Sequence, residues 1–251
     1  MSRSRTSPPP AAQADWGYFL DVDGTLIEFA NTPDAVHVDE ALLGLVSRLH
    51  RDCGGALALV SGRALLDLEW RLGSLKLPIA GQHGLERRDA AGAMHVHGAP
   101  TAAMAAIRLR LQAVLERHPG LLLEDKGMAL AVHYRQAPAL AGALHRLLRR
   151  LIDEADESLQ LQTGKRVVEI KPLGFDKGTA IEEYLAEPPF RGRRPVFIGD
   201  DATDEHGFAV VNRLRGLSVK VGPGPTEARY RLPDVAAVRA WLGDATKEGK
   251  P

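Results

Sequence analysis

Two aspartates, Asp21 and Asp23, stand two residues apart where the apolar run WGYFL ends, and Gly24, Thr25 and Leu26 follow them. A strand turns alternate side chains to opposite faces, so a pair at this spacing shares one. Where the chain leaves a sheet, both carboxylates can project toward one site, and Gly24 lets the backbone bend sharply. An Asp-Gly pair also makes an ordinary turn. The buried run, paired carboxylates, glycine, hydroxyl and leucine together set this string apart from such a turn. A second acidic string, GDDATDE over residues 199–205, follows the apolar run PVFI and sets Asp200, Asp201, Asp204 and Glu205 in one loop. Carboxylates so crowded repel one another unless a cation is present. All-oxygen ligands suit Mg2+, Mn2+ or Ca2+ better than Zn2+. The same acidic residues would also suit a helix N-terminus, where the dipole favours them.

Two smaller signals accompany these. Ser61 follows the apolar run LALV and precedes Gly62 and Arg63. Its hydroxyl and the nearby amides can donate to a phosphoryl oxygen, and alone it would read as a helix cap. Lys177 lies at the start of a helical pattern and offers a point charge to an anion; alone it would read as a solvated lysine. His83, in the string QHG, follows another apolar run and reads as a structural histidine as readily as a substrate contact.

The elements that must position these residues alternate. WGYFLDV, GALALV, LPIAG, RRPVFIG and GLSVKV read as short strands; ALLGLVSRLH, LLDLEWRLG, DKGTAIEEYLAE, DEHGFAVVNRL and PDVAAVRAWLGDA read as helices. Strand–helix alternation implies a parallel sheet with helices on its faces, which binds ligands beyond the carboxyl ends of its strands. Between them the pattern changes. A helix from Thr101 to Arg117, strands LLLEDKG and MALAVHYR, a helix ALAGALHRLLRRLIDEA, and strands in SLQLQTGKRVVEIKP with Thr163-Gly164 as their turn make a coarse repeat. This implies an inserted compact domain of one sheet and two helices.

The order Asp-x-Asp-Gly-Thr, Ser61, Lys177, Gly-Asp-Asp-x-x-x-Asp resembles that of the haloacid dehalogenase-type phosphatases over nearly all the ordered length. The resemblance implies an α/β fold, a Rossmann-like parallel-sheet core with an inserted α+β cap of the C2 type. With three consecutive prolines the first residues read as a disordered tail, over 1–14; the core is expected at 15–100 and 173–245, the cap at 101–172 and a tail at 246–251. The resemblance implies Asp21 as nucleophile forming an aspartyl phosphate and Asp23 as general acid and then base. Asp21, Asp200 and the backbone carbonyl of Asp23 would bind Mg2+, with Asp201 or Asp204 acting directly or through water. Ser61 and Lys177 would hold the transferring phosphoryl group, with Gly62 and Arg63 beside them on the substrate. Within this superfamily AGQHGLERR, EDKGMALAVHYR and GKRVVEIKPLGFDKG resemble strings of the trehalose-6-phosphate phosphatases. That likeness implies that Glu124, Lys126 and Glu169 bond the hydroxyls of a disaccharide. Arg135 would pair with substrate or with a cap carboxylate.

Bulk properties narrow the alternatives. Lys plus Arg and Asp plus Glu both number 32 in 251 residues, a balance unlike the basic excess of nucleic-acid binders. The single cysteine, Cys53, rules out an intramolecular disulfide and fits a reducing compartment. No stretch has the length of a membrane span, and the first residues lack the apolar run of a secretory signal. The expectation is a cytoplasmic monomer acting on a small-molecule sugar phosphate, with no nucleic-acid or membrane partner. Hydrolysis of sucrose phosphate or mannosyl-3-phosphoglycerate, or inactive sensing of a sugar phosphate, are the competing readings.

Overall fold

Tyr18, Phe19 and Leu20 are wholly buried, and a run of bulky side chains buried on both faces is what a central parallel strand requires. The structure is a computed structural model that describes residues 7–28, 36, 38–73, 75–98, 101–155 and 158–245. The chain forms two units, Met1–His95 with Asp176–Pro251, and Val96–Phe175. In chain order come β1 (Gly17–Leu20), α1 (Glu40–Asp52), β2 (Leu57–Val60), α2 (Leu65–Leu72), β3 (Ile79–Gly81), β4 (Glu86–Arg88) and β5 (Met94–Val96). Next are α3 (Ala102–Leu115), β6 (Leu122–Asp125), β7 (Leu130–His133), α4 (Ala141–Asp153), β8 (Leu159–Gly164) and β9 (Val167–Pro172). The chain then returns through α5 (Lys177–Leu185), β10 (Pro195–Gly199), α6 (Glu205–Arg213), β11 (Leu217–Val221), β12 (Tyr230–Leu232) and α7 (Val235–Ala245).

The first unit is built on a sheet of order β12-β11-β10-β1-β2-β3-β4-β5. Strands β12 through β3 pair in parallel, and β4 turns back antiparallel on β3. The strand order reverses at β1, which lies between β2 and β10. Such a switch point opens a crevice at the carboxyl ends, and Asp21, Ser61 and Asp200 are the residues that follow these three strands. Helix α1 begins where Asp39 accepts from the Leu42 N–H at 2.7 Å, and it buries Leu42, Leu45, Val46 and Leu49 at helical spacing. Helix α6 lies so close to β10 that a Cβ on Gly207 would stand 2.3 Å from a ring carbon of Phe197.

The second unit carries a four-stranded antiparallel sheet of order β6-β7-β9-β8. Met104, Ile107 and Leu111 of α3 and Leu144, Leu148 and Leu151 of α4 form one core with Leu130, Val132, Val168 and Ile170. Directly opposed residues share a sheet face, so Glu124, Ala131, Glu169 and Gln162 form one row across all four strands on the other face. Arginine and aspartate side chains elsewhere on this unit are largely solvated, for example Arg108 with Asp125.

Four points differ from the reading of the sequence. Residues 7–14, expected in a disordered tail, lie on the first unit: Ala12 is buried, the Tyr18 hydroxyl donates to the Gln13 carbonyl at 2.6 Å, and the Trp241 indole donates to the Pro10 carbonyl at 2.8 Å. A proline-rich segment lacks N–H groups but keeps carbonyls, and donors from distant elements supply what its own composition does not. Residues 1–6 and the tail at 246–251 lie outside the described residues. The β8–β9 turn is Lys165-Arg166, with Gly164 opposite Val167, and Arg166 rather than a glycine takes the positive φ of 68°. Strand β12 was not anticipated; three residues leave too short a pattern to read. The second unit begins at Val96 and ends at Phe175, against the expected 101–172. Among the described residues no helix is long and apolar enough to cross a membrane.

Gly207→Ala forces the Phe197 ring or α6 to move, and overpacking of this kind costs about 1–3 kcal/mol. The expected result is a melting temperature lower by several degrees, read by thermal denaturation followed by circular dichroism.

Candidate active site

The parallel ladder continues one residue past two of the strands that bear the site. The Asp21 N–H donates to the Ile198 carbonyl at 3.0 Å and the Ser61 N–H to the Ala80 carbonyl at 2.9 Å. Beyond Asp21 the chain folds into a tight loop. The Val22 carbonyl accepts from the N–H groups of Leu26 and Ile27 at 2.9 and 3.1 Å, and the Gly24 N–H donates to the Ile27 carbonyl at 2.7 Å. Gly24 sits there at φ 78°, where a side chain would be strained.

Lys177, the first residue of α5, is the centre of the site. Asp176 caps that helix, accepting from the Thr179 N–H at 2.9 Å while its own N–H donates to the Thr179 hydroxyl at 3.0 Å. The cap aims Lys177 inward. Its ammonium donates to Asp21 Oδ1 and to Asp204 Oδ1, each at 2.6 Å, and all three side chains are buried. The Thr25 hydroxyl donates to Asp21 Oδ2 at 3.2 Å. Burial pushes the Asp21 carboxyl well above the usual carboxylate range; Lys177 opposes this, and Asp204 and Asp200 add to it. Burial alone would pull Lys177 down, but Asp204 and Asp21 together hold its ammonium above the ordinary value.

Carboxylate oxygens of Asp21, Asp200 and Asp204 lie within 4.8 Å of one another. Asp204 reaches this position because β10 ends in glycine: a Cβ on Gly199 would stand 2.3 Å from the Asp204 carboxyl carbon. The other Asp204 oxygen accepts from the Asp201 N–H at 2.8 Å. Asp201 itself turns to cap the following 3₁₀ turn, accepting from the Ala202 N–H at 2.7 Å. Of the two aspartates left open by the sequence, Asp204 therefore joins the cluster.

Ser61 is buried, and its Oγ accepts from the Arg63 N–H at 3.2 Å. Gly62 is packed under the imidazole of His83, whose Nε2 would stand 2.5 Å from an added Cβ. His83 holds φ 57° and donates its N–H to the Ser61 carbonyl at 2.9 Å, so it braces this loop. Arg63, expected on the substrate, grips Asp23: Nε donates to Oδ2 and Nη2 to Oδ1, both at 2.7 Å, while Nη1 donates to Asp67 at 2.8 Å.

In the second unit, Lys126 forms a buried ion pair with Glu169, and Glu124 is 2.7 Å from His133 Nε2. These three sequence-predicted residues thus share the polar face of one sheet. Burial pushes Glu124 up, and His133 and Lys126 outweigh it and hold the carboxyl below its ordinary range.

Sequence reasoning missed Lys220. It is buried opposite Gly199 in the β10–β11 pair, and its ammonium donates to the Asp200 carbonyl. Burial draws its pKa down, against the pull of Asp200 and Asp204. The readable signal was a lysine inside the apolar run LSVKV, since a buried cation needs a partner.

A parallel α/β sheet with a lysine-bridged aspartate pair at its switch point, and an inserted antiparallel α+β unit, define a phosphatase fold of the haloacid dehalogenase type. The chain aligns over 91% of its length with 91% of the chain in the structure of the C. albicans trehalose-6-phosphate phosphatase C-terminal domain, with a TM-score of 0.82 and 22% identity. It aligns over 90% of its length with 98% of a haloacid dehalogenase-like hydrolase from B. subtilis, with a TM-score of 0.64 and 13% identity. The trehalose-phosphatase family model matches residues 19–236. The chain is 48% identical over 233 residues to the trehalose-6-phosphate phosphatase of Escherichia coli (strain K12), covering 93% of this chain and 87% of that protein. It is 44% identical over 229 residues to a probable trehalose-phosphate phosphatase of Sinorhizobium fredii, covering 91% and 86%. The chain belongs to the trehalose-phosphatase family of the haloacid dehalogenase superfamily.

Gly199→Ala should drive the Asp204 carboxylate off Lys177. Displacements near 1 Å can cost on the order of 100-fold in rate, so phosphate release from a sugar phosphate should fall by at least about tenfold.

Proposed function

We propose that this protein hydrolyses trehalose 6-phosphate to trehalose and phosphate, through an aspartyl phosphate on Asp21 and with a divalent cation, Mg2+, at the carboxylate cluster. The observation that carries the reading is the Lys177 ammonium shared by Asp21 and Asp204, in a chain of this family. An anionic nucleophile approaches a phosphate ester only where cations offset the repulsion.

Asp21 attacks phosphorus in line. The ester P–O bond breaks, an Asp21 Oδ–P bond forms, and the proton on Asp23 passes to the leaving sugar oxygen. Water then attacks the same phosphorus and gives its proton to Asp23, and the Asp21–phosphorus bond breaks to free phosphate. Ser61, the Gly62 amide and Lys177 orient the phosphoryl oxygens. The donor set fits a hard divalent cation: three carboxylates within 4.8 Å of one another, all oxygen, with no nitrogen or sulfur ligand among them. Asp21, Asp200 and the Asp23 carbonyl would hold it, with Asp204 beside them. Bound there, the cation neutralises charge on the transferring phosphoryl group.

The disaccharide is recognised by Glu124, Lys126 and Glu169, whose charged groups make the stronger class of hydrogen bond to hydroxyls. A cytoplasmic monomer fits this activity.

Asp21→Asn should fold as the parent and lower phosphate release by at least about 1,000-fold, a loss of roughly 4 kcal/mol in transition-state stabilisation. Chelation should abolish activity, Mg2+ should restore it, and Zn2+ should substitute poorly; full turnover after exhaustive chelation would refute the metal. Glu169→Gln should lower kcat/KM for trehalose 6-phosphate by about 10- to 100-fold, for a charged hydrogen bond of about 1.5–3 kcal/mol. An equal loss on a small aryl phosphate would assign Glu169 to the fold instead.

A further inference from the structure

Arg63 commits its guanidinium to carboxylates of its own chain. Its Nε and Nη2 meet the two oxygens of Asp23 at 2.7 Å each, the paired geometry in which a guanidinium fixes both the place and the plane of a carboxylate. The guanidinium is itself held from behind. Nη1 donates to Asp67 on α2 at 2.8 Å, Asp67 accepts from Arg71 Nε at 3.0 Å, and Arg71 Nη1 donates to the Val36 carbonyl at 2.6 Å. The backbone is pinned as well: the Arg63 N–H donates to Ser61 Oγ at 3.2 Å, and its carbonyl accepts from the Gln82 N–H at 2.8 Å. Three of the five N–H groups of Arg63 are thus taken up by the carboxylates of Asp23 and Asp67, and among them is the Nε–Nη2 edge suited to a bidentate grip on an anion.

We propose that Arg63 is a positioning residue for proton transfer, which sets the Asp23 carboxyl in line with the leaving oxygen through the chain Asp23–Arg63–Asp67–Arg71. The inference rests on Asp23 being the general acid. When the ester P–O bond breaks and phosphorus bonds to Asp21, the proton leaves Asp23 for the sugar oxygen, and Asp23 becomes the carboxylate that the Arg63 fork matches. In the second half-reaction the attacking water returns a proton to the same oxygen pair, so Arg63 keeps one acceptor in place for both steps. Lysine is a point charge and cannot grip both oxygens.

The test is kcat/KM, which reports only the first phosphoryl transfer, across monoesters whose leaving groups run from simple alcohols to nitrophenol. General acid help is largest for a poor leaving group and contributes about 100-fold or more there. Arg63→Met should lose about 100-fold on alkyl phosphates and about tenfold or less on nitrophenyl phosphate. Arg63→Lys should follow the same trend, and Asp67→Asn should show a smaller loss of the same slope. Melting temperatures check the fold, and should Arg63→Met fail to fold, the lysine and Asp67 variants decide. An even loss across the series in the Arg63 variants, with Asp23→Asn still graded, would overturn the proposal and return Arg63 to phosphoryl binding. An even loss in Asp23→Asn itself would overturn the reading of Asp23 as the acid, and the proposal with it.

Discussion

An ammonium group buried between two carboxylates is costly to assemble and costlier to disturb, because each ion gives up water that only its partners replace. Lys177 sits in that position between Asp21 and Asp204. The three come from separate parts of the first unit: the end of β1, the start of α5 and the turn after β10. For them to meet, β1 and β10 must be neighbours in the sheet, α5 must begin at the carboxyl end, and Gly199 must leave room for Asp204. The architecture of the first unit is therefore what this pair of bonds demands. The ion pair in turn opposes the burial that pushes the Asp21 carboxyl above its usual range.

The same logic extends outward in layers. Lys220 fixes the carbonyl of Asp200, Thr25 takes the second oxygen of Asp21, and Asp201 spends its carboxylate on the turn that presents Asp204. A catalytic group is useful only if its supports hold it within a fraction of an ångström. Here those supports are an ammonium, a hydroxyl and the cap of a 3₁₀ turn. The polar face of the second unit has comparable organisation: Glu169 with Lys126, Glu124 with His133, all on one side of a sheet whose other side is apolar. Strand alternation separates a packing face from a polar face without any extra device.

Much of this was legible in the chain. Strands and helices of the first unit have apolar runs and helical spacing strong enough to read locally, and Asp21, Asp23, Ser61, Lys177 and Asp200 stand at the punctuation between them. The helix–hairpin repeat of the second unit was legible for the same reason. Less was readable where the deciding partner is remote. Residues 7–14 looked like a tail because their own composition is poor in apolar groups, yet Tyr18 and Trp241 donate to their carbonyls. The β8–β9 turn looked like Thr163-Gly164 because glycine favours turns, but cross-strand register put it at Lys165-Arg166.

By itself the sequence determined which chemical groups are available and at which strand ends they appear, since side-chain type and local periodicity are properties of neighbours along the chain. Only the tertiary structure decided which of them touch. That Asp204 rather than Asp201 joins Asp21 and Asp200, that Arg63 holds Asp23, that His83 braces Gly62, and that Lys220 serves Asp200 are contacts between segments far apart in the chain or turned by a single backbone angle. A hydrogen bond depends on distance and direction to within a few tenths of an ångström, and spacing along a chain carries no such information until the sheet has set the register.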